Sequence, residues 1–247
     1  MKLAKPYLFL FIGVISMFIS CKKKEPVTKE VKFSSTHYES LGSFSSDGKP
    51  DYLFTPDPYS ATLMTFIDST LPQGKDLRVS HPELFTTNAI ADIQITQTSN
   101  VFITFALQGA GWRNAFAYYK YPTGKSPQSA KDIDVITYIF PSCGNGTPLK
   151  AGDKVDLGKF EAGTSIGFVL MQNAWDTTSR KDNNDAVHFC SNDILNPEVD
   201  PNLKKHAVMI NAPDDRVLIG FEDLNRTLPQ CDHDFNDLVV YCTVVKQ

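Results

Sequence analysis

The sequence lacks the marks of several large classes. Past its first twenty residues no apolar run approaches the roughly 20 residues of a bilayer helix, which excludes a polytopic membrane protein. There is no basic excess: 24 Lys and Arg against 28 Asp and Glu give a net charge of −4. That offers no electrostatic footprint for nucleic acid. No phosphate-binding glycine loop and no C-x-x-C pair occur, and His188 and His206 are too isolated to suggest zinc. What is present is globular in character. Hydrophobic residues make up 42% and aromatic ones 11%, with 17 Phe and 9 Tyr, too many for a disordered chain.

The N-terminus reads as an address. Lys2 and Lys5 precede an apolar stretch over residues 7–20, too short for a bilayer span but suited to the core of a secretory signal. It ends in Phe18-Ile19-Ser20-Cys21. This resembles a bacterial lipobox, with Phe18 in place of the usual Leu, and implies cleavage before Cys21 and lipidation of its new N-terminus. Residues 1–20 are thus expected as a lipoprotein signal peptide, and residues 21–49 as a polar tether beginning with Lys22, Lys23 and Lys24. The three lysines suit either a solvated spacer or a second contact with anionic lipid. Lys22 resembles the residue that follows the lipidated cysteine in lipoproteins passed to the outer membrane. The expected location is the outer membrane of a Gram-negative bacterium, with the periplasmic or surface face left open.

With Cys21 lipidated, four cysteines remain: Cys143, Cys190, Cys231 and Cys242. An even number in an exported chain suggests two disulfides, with free buried thiols as the alternative. Residues 235–245 read as one strand, so Cys242 lies roughly 20 Å along it at about 3.3 Å per residue. Pairing with Cys231, in the loop before it, is disfavoured because bridged Cα atoms lie within about 7 Å.

Residues 50–247 read as a single domain. Short β-rich runs occur at 101–105, 133–140, 165–171, 207–210, 217–221 and 238–245, separated by turn clusters such as Cys143-Gly144-Asn145-Gly146. The one helical candidate is 59–69, where Ala61, Leu63, Met64, Phe66 and Ile67 form an apolar face. Strands without alternating helices predict an all-β fold, a β-sandwich or jelly roll with one short helix.

Chemistry concentrates before the last strand. Glu222 and Asp223 are followed by Asp232, Asp234, Asn236 and Asp237. Asp232, Asp234 and Asn236 alternate, so in extended chain they face the same way. Carboxylates so crowded repel unless a cation neutralises them, and hard oxygen donors select Ca²⁺. An EF-hand is excluded, because Asp237 stands at the turn glycine and Thr243 at the bidentate Glu. The competing reading is an acidic turn capped by its own backbone and Arg226. Asn173 or Asp176 is a candidate for a further ligand.

These residues also carry a family resemblance. Phe221-Glu222-Asp223 with Asp232-His233-Asp234-Phe235-Asn236-Asp237 resembles the signature of the LruC-type domain of secreted bacterial proteins. Upstream blocks at 66–74, 108–114, 118–121, 166–175 and 195–198 fit the same pattern. The resemblance implies a secreted or surface-anchored β-rich module with a calcium loop and no established enzymatic activity.

Two other features stand out. Gly163-Thr164-Ser165-Ile166-Gly167 matches G-x-S-x-G, but a strand rather than a helix is expected after the serine, against a nucleophile elbow. Gly109-Ala110-Gly111 leads into Trp112, Arg113 and Asn114, which suit a ligand surface, although the nearby aromatics Phe116, Tyr118, Tyr119 and Tyr121 also suit a core. The functional expectation is a non-enzymatic, lipid-anchored binding or adhesion module for a glycan or protein. A metal-dependent hydrolase with His233 as base, and a purely structural lipoprotein, are the alternatives.

Overall fold

The computed structural model describes residues 28–86, 89–212 and 215–247. The lipobox and Cys21 lie outside them. The chain forms β1 (His37–Ser40) and β2 (Leu53–Phe54), the helix α1 (Ala61–Thr70) and a single helical turn α2 (Leu77–Ser80). β3 (Ile93–Ile95), β4 (Ser99–Leu107), β5 (Ala115–Pro122), β6 (Val135–Phe140), β7 (Lys154–Phe160) and β8 (Thr164–Gln172) follow. Next come the two-residue β9 (Trp175–Asp176) and β10 (Lys181–Asp182), then β11 (Val187–Cys190), β12 (Ala207–Asn211), β13 (Val217–Phe221) and β14 (Leu238–Lys246).

The fold is all-β, built on two six-stranded sheets. One runs β1-β6-β5-β8-β11 with β3 also on β8; the other runs β12-β13-β14-β4-β7-β2. Side-chain alternation explains how they pack. Ile166, Phe168 and Leu170 of β8 join Leu238, Val240 and Cys242 of β14 in one core between the sheets. The intervening residues, Val169 and Met171 on β8, Val239 and Tyr241 on β14, are buried too, but on the outer faces. Both faces of the central strands are therefore covered, which is why they read as unbroken apolar runs.

Helix α1 covers part of one outer face. Its Ser60 side chain accepts from Leu63 N–H at 3.2 Å, a cap worth about 1 kcal/mol. Ten residues are too few for a stable isolated helix, so burial of Leu63, Ile67 and the following Leu71 holds it in place. The apolar stripe is narrower than expected, for Met64 is 45% exposed.

The other outer face is covered by residues expected as tether. Phe33 is buried and stacks on His188 at 4.3 Å, and β1 pairs in parallel with β6. Phe44 meets Trp175 edge-on. Residues 28–49 are thus folded onto the domain, because Val31, Phe33 and Phe44 supply apolar anchors in a polar stretch.

The disulfide expectation is overturned. Cys143, Cys190, Cys231 and Cys242 are all free, buried thiols. Their placement explains it: Cys143 and Cys242 belong to the inter-sheet core, Cys190 to the outer layer beyond β8, and Cys231 sits beside His233. Cys143 instead donates to the Asn114 carbonyl at 3.3 Å. Burial pushes all four thiols up from their usual pKa, Cys242 to about 12. Ser165 of the G-x-S-x-G stretch lies in β8, and its hydroxyl meets that of Thr123 at 2.9 Å.

Candidate metal centre

β13 and β14 are antiparallel neighbours, with Phe221 opposite Leu238. The chain between them is an excursion from two adjacent strands, so Glu222 and Asp223 leave β13 where Asp237 enters β14. The Asp223 N–H donates to Asp237 Oδ2 at 2.8 Å and closes this neck. Glu222 is fixed further: its N–H donates to the His206 carbonyl at 3.0 Å, and His206 Nδ1–H donates to the Glu222 carbonyl at 2.9 Å. His206 Nε2 lies 2.9 Å from Glu198 Oε1, and its ring stacks on Phe189.

Asp232, Asp234 and Asn236 do not converge by extended alternation. The intervening residues, His233 and Phe235, have φ of 60° and 57°, in the left-handed region that non-glycine residues rarely adopt. Such residues cost on the order of 1 kcal/mol each and persist where surroundings over-determine them. Here the Phe235 ring is wholly buried, edge-on to Phe85 and 5.2 Å from the Arg226 guanidinium. Its carbonyl crowds Gly220, where a Cβ would come within 2.4 Å of it. Only glycine lets the loop lie this close to β13. Gly109 acts alike on the far side: a Cβ there would sit 2.7 Å from Asn236 Oδ1.

Glu222, Asp232 and Asp234 each offer a carboxylate oxygen within 4.8 Å of the others. Asp232 is exposed, whereas Glu222 and Asp234 are buried at 1% exposure. Asp234 Oδ2 accepts from Gly74 N–H at 2.7 Å and from the Gln73 amide at 3.3 Å. Asp234 Oδ1 accepts from Asn236 N–H at 3.1 Å. Asp223 Oδ2 accepts from Asn114 Nδ2 at 2.6 Å, and the Asp223 carbonyl from Gln172 Nε2 at 2.7 Å. Two buried oxygens, Glu222 Oε2 and Asn236 Oδ1, have no partner.

The electrostatics are those of a site short of positive charge. Among the described residues, no Lys, Arg or His forms an ion pair with Glu222, Asp223, Asp232, Asp234 or Asp237. Burial, then the adjacent Asp237 carboxylate, raises the Glu222 carboxyl far above the usual range. Burial and Asp223 push Asp237 up to about 7, and burial pushes Asp234 up to about 6. Arg226 is close but forms no ion pair with them: its Nη1 donates to the Lys205 carbonyl at 2.7 Å and its Nε to His233 Nδ1 at 3.2 Å, while its buried Nη2 has no partner. A buried, uncompensated acidic cluster of this kind can chelate a divalent metal.

All six acidic-loop candidates gather at this neck. Of Trp112, Arg113 and Asn114, only the buried Asn114 joins it; Trp112 is 44% exposed and Arg113 is also at the surface. Asn173 is a left-handed turn whose N–H donates to Asn114 Oδ1, and Asp176 caps an exposed turn through Thr178 N–H and Ser179. Asn173 Oδ1 accepts from Arg113 N–H at 3.4 Å, and Asp176 does not group with Glu222, Asp232 and Asp234. His233, the base of the hydrolase alternative, accepts from Arg226 at Nδ1. Burial, then the Arg226 and Arg78 charges, lowers it to about 4. The parts that Gln73, Gly74, Gln172 and His206 play here were not expected from sequence, since nothing in their local sequence ties them to residues 222–237.

Residues 160–244 match the family model of a domain of unknown function (DUF4114), spanning β8 to β14 and the whole acidic excursion. That match replaces the resemblance to the LruC-type domain, a different named domain. The 118–121 block of that resemblance lies in β5, where Tyr118 and Tyr119 are buried for packing. No curated protein and no solved structure matches the chain.

Proposed function

We propose that the neck between β13 and β14 binds Ca²⁺ in an exported, lipid-anchored protein that acts by binding rather than by catalysis. One observation carries the metal reading. Glu222 is 1% exposed, lies among four other carboxylates, and has an oxygen without a partner. An isolated buried carboxylate costs several kcal/mol unless a charge compensates it. A cation supplies that charge. The donors are hard carboxylate oxygens, and a dedicated all-protein oxygen cage suits Ca²⁺ better than Mg²⁺.

The link from metal to ligand runs through Asn114. Its amide holds Asp223 and sits next to Arg113 and Trp112, so an ion that fixes Asp223 also fixes this exposed aromatic and cationic rim. A glycan or protein is the partner such a rim suits. The lipid anchor rests on the lipobox ending at Cys21, and the outer-membrane location on Lys22 that follows it.

Calorimetric titration of Ca²⁺ into EGTA-stripped, desalted full chain tests the metal site. Saturable binding lost in Asp234→Ala, with Mg²⁺ at least tenfold weaker, is the expected result; absence of heat at millimolar Ca²⁺ refutes it. Intact mass of the mature chain separately tests Cys21, which should carry the lipid and lose it in Cys21→Ala.

A further inference from the structure

A second polar site lies at the other end of β8. Gln172, at the close of that strand, reaches Asp223, whereas Ser165, near its start, lines a pocket of about 360 Å³. Seven residues of strand separate the two by roughly 20 Å. The pocket sits where β3, β5, β8 and β11 meet, and its floor is Asp92, only 8% exposed.

Asp92 is held rigidly. Its Oδ1 accepts from Ser191 Oγ at 2.6 Å, and its Oδ2 accepts from the Tyr121 hydroxyl. Ser191 Oγ in turn accepts from Phe168 N–H at 2.9 Å, which fixes the direction of its own proton toward Asp92. Burial, working against these two donors, pushes the Asp92 carboxyl up to about 6. At the rim, Lys205 Nζ lies 3.3 Å from Asp193 Oδ2, while Asp193 Oδ1 is buried without a partner. Behind the Asp92–Ser191 pair, Tyr119 is 1% exposed, with its hydroxyl toward Ser191.

We propose that this pocket binds a neutral polyhydroxylated ligand of monosaccharide size, with Asp92 and Asp193 accepting from its hydroxyls and Lys205 donating to them. The volume is at the small end of ligand pockets, about 300–1,000 Å³. The lining alternates acceptors with donors, as vicinal hydroxyls require, since each hydroxyl both donates and accepts. Two carboxylates against one ammonium oppose an anion. A cation is disfavoured because Lys205 faces the same space and two hydroxyls already draw on the Asp92 charge. The proposal is independent of the metal centre.

The test is amide-resolved NMR of the full chain in EGTA, titrated to tens of millimolar with glucose, galactose and N-acetylglucosamine, and separately with methylammonium and acetate. At least one neutral sugar should give saturable shifts at Asp92, Ser126 and Ser191. Ser126→Phe, which fills the mouth from an exposed position, should abolish them without altering the rest of the spectrum; Asp92→Asn should weaken binding at least tenfold. The proposal is overturned if no sugar shifts these amides in folded protein, if the shifts survive Ser126→Phe, or if methylammonium alone produces them.

Discussion

Two half-hidden acidic regions of this protein are built in opposite ways. On the outer face of the second sheet, Asp57 accepts from Thr104 at 2.8 Å and from Tyr241, and pairs with Lys154 at 2.5 Å. Burial works against its ionisation, yet Lys154 and Thr104 outweigh it and hold the carboxyl below its usual range. Lys154 also lies 5.5 Å from the Phe54 and Phe102 rings. At the β13–β14 neck, five carboxylates meet with no such lysine, and the carboxyls of Glu222, Asp223, Asp234 and Asp237 are pushed upward instead. The first region carries its counter-charge in the sequence. The second does not, and that is the difference a bound cation resolves.

The largest test of this contrast is a pair of substitutions. Asp57→Ala strands Lys154 and should cost about 3 kcal/mol, equally with Ca²⁺ and with EGTA. Glu222→Gln keeps the shape of the neck but removes a charge. It should leave the metal-free protein unchanged or stabilised by about 1–3 kcal/mol, while eliminating the calcium response. Denaturant midpoints of the two variants under both conditions check this. A calcium-sensitive Asp57→Ala deficit, or a Glu222→Gln that destabilises the metal-free chain, would break the comparison.

Acid sharpens it. Asp234 and Asp237 have folded pKa values of about 6 and about 7, above an unfolded value near 4. Their contribution to metal-free stability is therefore full below about pH 4 and is lost as pH rises to about 7. His188 runs the other way: burial lowers it to about 4, so its contribution is full above about pH 6.5 and lost as pH falls toward 4. That term is common to both conditions and cancels in the difference. The calcium-induced increment in melting temperature should be small at pH 5 and grow as pH rises through 7, and the raised Glu222 carboxyl should keep it growing above that. An increment independent of pH across that window would contradict the assignment.

The smallest expected effect is that of reductant. With four buried thiols and no bridge, dithiothreitol should leave the midpoint in place. Loss of a disulfide would instead cost about 2–4 kcal/mol.

Much of the scaffold was legible from sequence, for a physical reason. β4, β8, β12, β13 and β14 are buried on both faces and write themselves as apolar runs. β7 was not, because Val155, Leu157 and Phe160 alternate with polar residues and Gly158, at φ 92°, interrupts the period beside a register shift opposite Val101 and Phe102. The acidic residues were legible because a hairpin neck brings sequence neighbours together. The supporting groups were not: Gln73 and Gly74 meet Asp234 across 161 and 160 residues, and Gln172 meets Asp223 across 51. Nor did sequence show that left-handed turns at His233 and Phe235, rather than extended chain, aim the carboxylates. The cysteine count misled because even numbers report compartment, whereas pairing requires that two thiols share a layer and an approach.

The most direct measurement is the thermal midpoint of the full chain in EGTA and then in excess Ca²⁺. Binding confined to the folded state stabilises by about 2.7 kcal/mol at one hundred times Kd, which for a domain of this size raises the midpoint by roughly 5–10 °C. The account predicts that rise, and its disappearance in Asp234→Asn. An unchanged midpoint at millimolar Ca²⁺, in protein shown to be metal-free at the start, would contradict it.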